Sequence, residues 1–317
     1  MRILRRAIAI LMAVCMVPGS AGLAKEPKLK ADDIVKRHLD AIGPAPRLAA
    51  IRTRVIVGRT RMKLEAGEVG PGASAMVAGT LSLAGTGHKY RIALPFQYSD
   101  YWGEQFVYDG AKTDVGFAYI QKRSPIGDFI YRYDMILEEG LFGGVLSTAW
   151  PLLECEVRQP KLEYVGLKKM SEQPVHVLRY SRKKGQADLR IELFIDAQTF
   201  QHLRTTYNLT LAYDDKSPAL SESQPTTIRG NGTIVPQAKA TAPHDDTGRQ
   251  GAQYRLEEYF GGFRAVDGVT LPGRWNIIFE RASGNKTVQR EWSVIIDQVV
   301  HNQPLDANAF VLEQRKQ

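Results

Sequence analysis

The chain has 317 residues, a formal net charge of +8, 44% apolar residues and two cysteines. That length and apolar content are enough to bury a large core. The basic residues are dispersed, with Lys168-Lys169 and Arg182-Lys183-Lys184 the only close groups, which argues against a nucleic-acid partner and leaves a weak attraction to an anionic membrane surface open.

Residues 1–24 carry Arg2, Arg5 and Arg6, then an apolar run over 7–17, then Pro18, Gly19, Ser20 and Ala21. This pattern reads as a secretory signal peptide, cleaved after Ala24 or alternatively after Ala21. The run is shorter than the about 20 apolar residues a membrane-spanning helix needs. Cys15 follows Val14 rather than a small residue, so the reading is against a lipid anchor. Removing the three arginines lowers the formal charge to +5 on a 293-residue chain. Only Cys155 then remains, so stability has to come from the core and not from an internal disulfide.

In chain order, Asp32 and Asp33 open a helix that places Ile34, Val35, His38, Leu39 and Ile42 on one side, with Gly43 and Pro44 ending it. Pro46 starts a short second helix, completing a helical segment over 31–51. Alternation then predicts strands over 52–64, 76–83, 88–94, 105–108 and 113–120, with a glycine-rich loop over 65–75. Gly85-Thr86-Gly87 is a turn, since Tyr90 stands where a dinucleotide fingerprint needs its third glycine. The Asp109-Gly110 turn is flanked by Phe106, Tyr108, Phe117 and Tyr119.

A helical insert over 124–150 follows. Ser124 is an N-cap, Pro125 the first helical residue, and Ile126, Phe129, Ile130, Tyr133 and Leu137 recur at helical spacing. Gly140 ends that helix, and a second short helix is expected over 141–150, stopped by Pro151. Such an insert packs on a sheet as core or serves as a movable cover over an apolar cavity. Alternating strands resume at 162, clearest over 189–196 and 203–211. Residues 214–251, with four prolines, read as a long polar loop holding at most a short strand over 227–235. Residues 254–280 read as one hairpin turning at Asp267-Gly268, with Trp275, Ile277 and Phe279 alternating against Arg274, Asn276 and Glu280. A last strand over 287–300 carries Trp292, and 304–312 closes the chain.

No metal or catalytic motif with the required spacing is present. His38 has no second ligand one turn away, His244-Asp245-Asp246 lacks further ligands, and Glu138-Glu139 point in different directions on a helix. Ser181 and Lys184 match S-x-x-K without its usual partner motif. The reading is of no metal, no cofactor and no catalytic residue; a hydrolase using Ser181, His176 or His202 is the weakest alternative.

Taken in order, ADDIVKRHLDAIG (31–43), FVYDG (106–110), LRIELFID (189–196) with LRTTY (203–207), FRAVDGVTLP (263–272) and VVHNQPLDANAF (299–310) resemble the periplasmic lipoprotein-sorting family of LolA-like and LolB-like carriers. The resemblance spans nearly all of the chain after residue 24. It implies one α+β domain over 25–317: an antiparallel sheet curved into an incomplete barrel, with helices covering its concave apolar face. It further implies a monomeric periplasmic carrier for acyl chains of lipoproteins or other lipids, with membrane-associated donor or acceptor proteins as partners. An envelope-stress sensor or protein-interaction module on the same fold is the alternative. The cavity and lid would be lined by Ile34, Val35, Leu39, Phe106, Tyr108, Phe117, Tyr119, Ile126, Phe129, Ile130, Tyr133, Trp275, Ile277, Phe279 and Trp292. In the carriers the strand matching 79–83 runs into a basic-proline element whose arginine helps latch the lid; Ala84-Gly85-Thr86 stand there instead, so that arginine is not carried over, and Arg91 has no matching motif.

Overall fold

The computed structural model describes residues 29–64, 75–98, 101–118, 123–182, 188–211, 252–283 and 286–312. The signal segment, Tyr119, most of the 65–75 loop, the 214–251 loop with its 227–235 strand, Lys184 and His244-Asp245-Asp246 lie outside the described residues.

Among the described residues twelve strands form one sheet in which every neighbouring pair is antiparallel. On one side lie β1 (Thr53–Leu64), β2 (Ala75–Thr86), β3 (Lys89–Pro95), β4 (Gly103–Tyr108) and β5 (Thr113–Phe117). On the other lie β6 (Lys161–Met170), β7 (Gln173–Ser181), β8 (Leu189–Asp196), β9 (His202–Leu211), β10 (Ala252–Gly261), β13 (Arg274–Ser283) and β14 (Lys286–His301). The order is β5-β4-β3-β2-β1-β14-β13-β10-β9-β8-β7-β6, two meanders joined where the first strand pairs with the last. The end strands β5 and β6 do not pair with each other, so the curved sheet stays open and is not a closed barrel. This is the α+β half-barrel architecture the sequence motifs imply.

Period-2 alternation puts one side chain in two on the covered face. From β10 these are Tyr254, Leu256, Glu258 and Phe260; from β13, Trp275, Ile277 and Phe279; from β14, Trp292, Val294 and Ile296, all buried. Against them pack α1 (Ala31–Ile42) and the segment 124–158, here called the cover. The cover contains α3 (Pro125–Arg132), α4 (Met135–Glu138) and α5 (Cys155–Arg158). Helix α2 (Ala45–Ala50) is short and contributes no fully buried residue. Among the described residues the main core cluster runs through the sheet face, α1 and the cover, and a small second cluster holds Val175, Val177 and Phe194.

Four sequence expectations are corrected. The helix read from Pro125 to Gly140 is broken at Tyr133, whose backbone leaves the helical region (φ −108°, ψ 55°), because apolar residues on both sides of the break have to reach the sheet. The second helix expected over 141–150 is a 3₁₀ turn at Gly144–Leu146 instead. Gly143 and Gly144 both adopt positive φ, which glycine tolerates and a regular α-helix does not. Pro151, expected to interrupt a helix, opens a 3₁₀ turn that runs into α5. Lastly, Asp267-Gly268 does not join the two long strands directly. β10 pairs with β13, but the turn closes a separate small hairpin of β11 (Arg264–Val266) and β12 (Val269–Leu271). A tight turn residue pair fixes only its nearest strand residues, so the longer connection was hidden behind it.

Gly140 ends α4 at φ +68°, and a Cβ there would sit 2.0 Å from the Ala149 carbonyl oxygen. Gly87, at φ +51°, would place a Cβ in open space. We expect Gly140→Ala to lower stability by at least about 2 kcal/mol and Gly87→Ala by only about 1 kcal/mol, the residual left-handed strain. Urea unfolding of both variants measures the difference; equal losses would remove the assigned packing role of Gly140.

Candidate functional site

The aromatic face of the sheet is where the resemblance and the alternation both point, and the cover fills it. Phe142 packs edge-on against Phe106 (ring centroids 5.1 Å) and Trp275 (5.3 Å). Phe129 meets Phe279 at 5.7 Å and stacks on Tyr254 at 6.1 Å. Trp150 stacks on His202 at 4.7 Å. Of the sequence-selected lining residues, Ile34, Val35, Phe106, Ile126, Phe129, Ile130, Tyr133, Trp275, Ile277, Phe279 and Trp292 are buried in this shared core. Leu39 and Tyr108 pack at its margin, and Phe117 is half-buried at the β5 edge with φ +65°. The described face is thus occupied by the protein's own side chains.

Alternation did not single out the polar groups that hold the cover. Arg54 of β1 is buried and donates Nη1–H to the carbonyls of Val145 (2.7 Å) and Leu146 (3.1 Å). Its Nε–H donates to His301 Nε2 at 3.1 Å, and His301 Nδ1 in turn lies 3.0 Å from Asp267 Oδ2. Glu258 of β10 accepts from the Gly143 N–H (2.7 Å), from Trp275 Nε1 (3.0 Å) and from the Tyr207 hydroxyl (2.8 Å). Tyr90 donates its hydroxyl to the Leu137 carbonyl at 3.1 Å, and Trp150 donates Nε1–H to His38 Nε2 at 3.2 Å. The sheet therefore caps the Gly144–Leu146 turn at both ends. A carboxyl group takes the N–H at its start and a guanidinium takes the carbonyls at its end, the polarity a helical turn favours.

A signal for these residues did exist. Arg54 shares the inward register of Ile56, and Glu258 that of Leu256 and Phe260, so each is a charged residue at a core position of a strand. Such a residue is strongly unfavourable unless it has a dedicated partner.

Burial sets the protonation states. Glu258 is pushed up to about 8 by loss of hydration, against the N–H and O–H donors that favour its anion. Glu104, which accepts from the Tyr101 hydroxyl at 2.7 Å, is pushed up to about 7, again mainly by burial. Burial lowers Arg54 to about 10, leaving it charged at neutral pH, and pushes Cys155 up to about 11, which makes its thiol a poor nucleophile. Among the described residues no three His, Cys, Asp or Glu side chains gather as a metal site. Ser181 is exposed at the end of β7, His176 pairs with the Tyr164 hydroxyl at 3.0 Å, and His202 lies beneath the cover. No described helix is long and apolar enough to cross a membrane.

No protein-family model matches the chain, and no curated protein matches it. Among solved structures it is similar to a LolA superfamily protein from Nitrosomonas europaea, at 10% identity over 90% of this chain and 99% of that one, with a TM-score of 0.42. It is also similar to a DUF1329 family protein from Desulfovibrio piger, at 10% identity over 88% and 96%, TM-score 0.39. A third, lipoprotein LppX from Mycobacterium tuberculosis, matches at 12% identity over 56% and 86%, TM-score 0.22. The likeness is distant, LolA-like and one of fold alone.

Glu258 gives a stability signature. Its folded value near 8 lies above the usual 4.5, so between those values the folded chain holds a proton that the unfolded chain has released. The sign is that stability falls as pH rises from about 4.5 to about 8. Glu258→Gln keeps an acceptor for Gly143 and Trp275 and a donor for Tyr207. We expect that variant to lose less stability than the parent between pH 5 and 9 and to be the more stable of the two at pH 9, as read by urea unfolding across pH. An unchanged slope would mean that Glu258 does not titrate in this range.

Proposed function

We propose that the protein is a non-catalytic periplasmic carrier or binding protein for acyl chains, those of lipoproteins or of other lipids. It holds them on the aromatic sheet face when the cover moves aside. The observation that carries this reading is how the cover is attached. No cover residue belongs to the twelve-stranded sheet, and the cover is tied to the sheet by side-chain to backbone hydrogen bonds from Arg54, Glu258 and Tyr90. It can separate without breaking a strand pair. Beneath it lie Phe106, Trp275, Phe279 and Trp292. A guest displacing it gains about 0.8 kcal/mol for each buried methylene.

Arg54 supports the same reading energetically. It is a buried cation whose described partners are two carbonyls and an imidazole rather than a carboxylate. Closure keeps that charge out of water, and opening rehydrates it. The closed state is favoured by apolar packing and opposed by this desolvation, a balance a reversible cover requires.

A second reading, a protein-interaction module, draws on the open edge of β6. Among the described residues that strand has no partner on its outer side, and its Leu167 is exposed, so an extended segment of a donor, acceptor or sensor protein could add to it. Lysines at 168 and 169 guard that edge against indiscriminate pairing.

Mass spectrometry of lipid carried through purification from an envelope-containing host, together with titration by a fluorescent fatty acid, tests the carrier. Bound lipid and saturable probe binding are expected. Absence of both, with a stable partner protein recovered instead, would favour the second reading. Arg54→Ala leaves the Val145 and Leu146 carbonyls unpaired in the closed state, a penalty of about 1–3 kcal/mol. We expect amide exchange over 141–149 to quicken by about tenfold or more and probe uptake to speed up. Unchanged exchange would show that the cover does not depend on Arg54.

A further inference from the structure

A small cavity opens where the end of α1, the start of β9, the β11–β12 hairpin and the cover meet. It is lined by His38, Ala41, Ile42, Val145, Gln201 and His202, among others, and has room for about one water-sized group. No lysine or arginine lines it.

The two histidines differ in a way that hydrogen bonding defines. His38 uses both ring nitrogens: Nδ1–H donates to the Phe200 carbonyl at 2.9 Å and Nε2 accepts from Trp150 Nε1. His202 lies 6.2 Å away, ring to ring, and is fully buried. Its Nε2 is 3.0 Å from the Arg204 carbonyl oxygen and 2.9 Å from the Thr205 hydroxyl. A carbonyl only accepts, so Nε2 carries the hydrogen and Nδ1 carries the lone pair. That Nδ1 is buried and accepts no hydrogen bond from the described residues. What stands over it is the cover itself. A Cβ built on Gly144 would lie 3.0 Å from Nδ1, so a glycine is the residue that lets the cover close there.

A buried acceptor without a donor is unfavourable, and it is placed where the cover has to move for a guest to enter. Burial and the neighbouring His38 hold the His202 imidazole well below its ordinary value, hence neutral. A carboxylate or phosphodiester would bring no donor to Nδ1. An ammonium group would be a buried charge without a carboxylate among the lining residues. A hydroxyl fits by size, by charge and by its hydrogen.

We infer that His202 is the recognition point for the polar end of the guest, and that this end is an uncharged hydroxyl: a fatty alcohol, or the free hydroxyl of an acylglycerol, donating its hydrogen to His202 Nδ1 while the chain lies on the sheet face. The inference rests on the carrier reading above and narrows its ligand. It also accounts for the placement of a histidine among Trp150 and Phe260, whose rings lie 4.7 and 4.8 Å from it. The ring also holds the Arg204 carbonyl and the Thr205 hydroxyl through Nε2, which leaves Nδ1 as the free recognition atom.

The test compares a monoacylglycerol with its di-O-methyl ether, and a long-chain alcohol with its methyl ether, as competitors of the fluorescent fatty-acid probe on the full chain. The hydroxyl form of each pair is expected to bind about 3- to 10-fold more tightly, the value of one net hydrogen bond. In His202→Phe the two members of a pair should compete equally. Should that variant fail to fold, nitrogen-15 NMR of the unaltered protein gives a second readout. The His202 Nδ1 resonance is expected to move on adding the alcohol and to stay put with the ether. Equal affinities in the parent chain, or a probe displaced by neither compound, overturn the hydroxyl inference while the carrier reading stands. A probe that does not bind at all overturns both.

Discussion

The short turn at Gly144–Leu146 is gripped from the sheet at both ends, and the rest of the closed structure depends on that grip. Glu258 takes the N–H of Gly143, and Arg54 takes the carbonyls of Val145 and Leu146. An isolated turn of three residues has little stability, because fixing its backbone costs more than its own hydrogen bonds return. Here the missing partners come from two strands on opposite sides of the sheet's centre, β1 and β10. The turn in turn sets the flanking Phe142 and Trp150 on Trp275 and His202. The aromatic packing and the polar grip are one cooperative unit: loosening the turn separates the rings, and separating the rings lets water reach the buried charge.

The two gripping groups respond differently to their surroundings. Arg54 remains charged across the physiological range although burial lowers it to about 10. Glu258, pushed to about 8, is largely neutral at pH 7 and turns anionic above that value. Its anion would be a stronger acceptor for Gly143 and Trp275, but the burial that raises its value is the larger effect. The grip is therefore a full charge on one end and a neutral carboxyl on the other, and alkaline conditions load the closed state with a second buried charge. Glu104, beneath the start of α3 with Tyr101 and Trp292, adds a further buried carboxyl that titrates near 7.

The extent of what the sequence made legible follows from period and register. Strands with clean alternation, such as those carrying Leu189 to Ile195 or Trp275 to Phe279, are where alternation put them, because one residue in two has to face the core. The α1 helix and the Ser124 cap with its bond to the Gly127 N–H are local features and were equally readable. The cover beyond Gly140 was not. Its apolar residues, Leu141, Phe142, Val145, Leu146 and Trp150, have helical spacing, yet the paired glycines and the two sheet groups make a 3₁₀ turn of them. That outcome depends on contacts between positions far apart in the chain. Arg54 and Glu258 were present as charged residues in apolar registers, but their meaning came only from the turn they hold.

Reversibility sets a limit on affinity. In the closed state Phe129, Phe142 and Trp150 already occupy the face a guest would take, so a guest gains only the difference between its own burial and theirs. The apparent dissociation constant is the intrinsic one divided by the open fraction, which weakens binding by the free energy of closure. On the carrier reading proposed above, a face covered by the protein's own side chains favours release of the cargo. The polar groups adjust that balance. Arg54 holds the turn at the expense of its own desolvation, and the unpaired acceptor of His202 makes closure less favourable than apolar packing alone would have it.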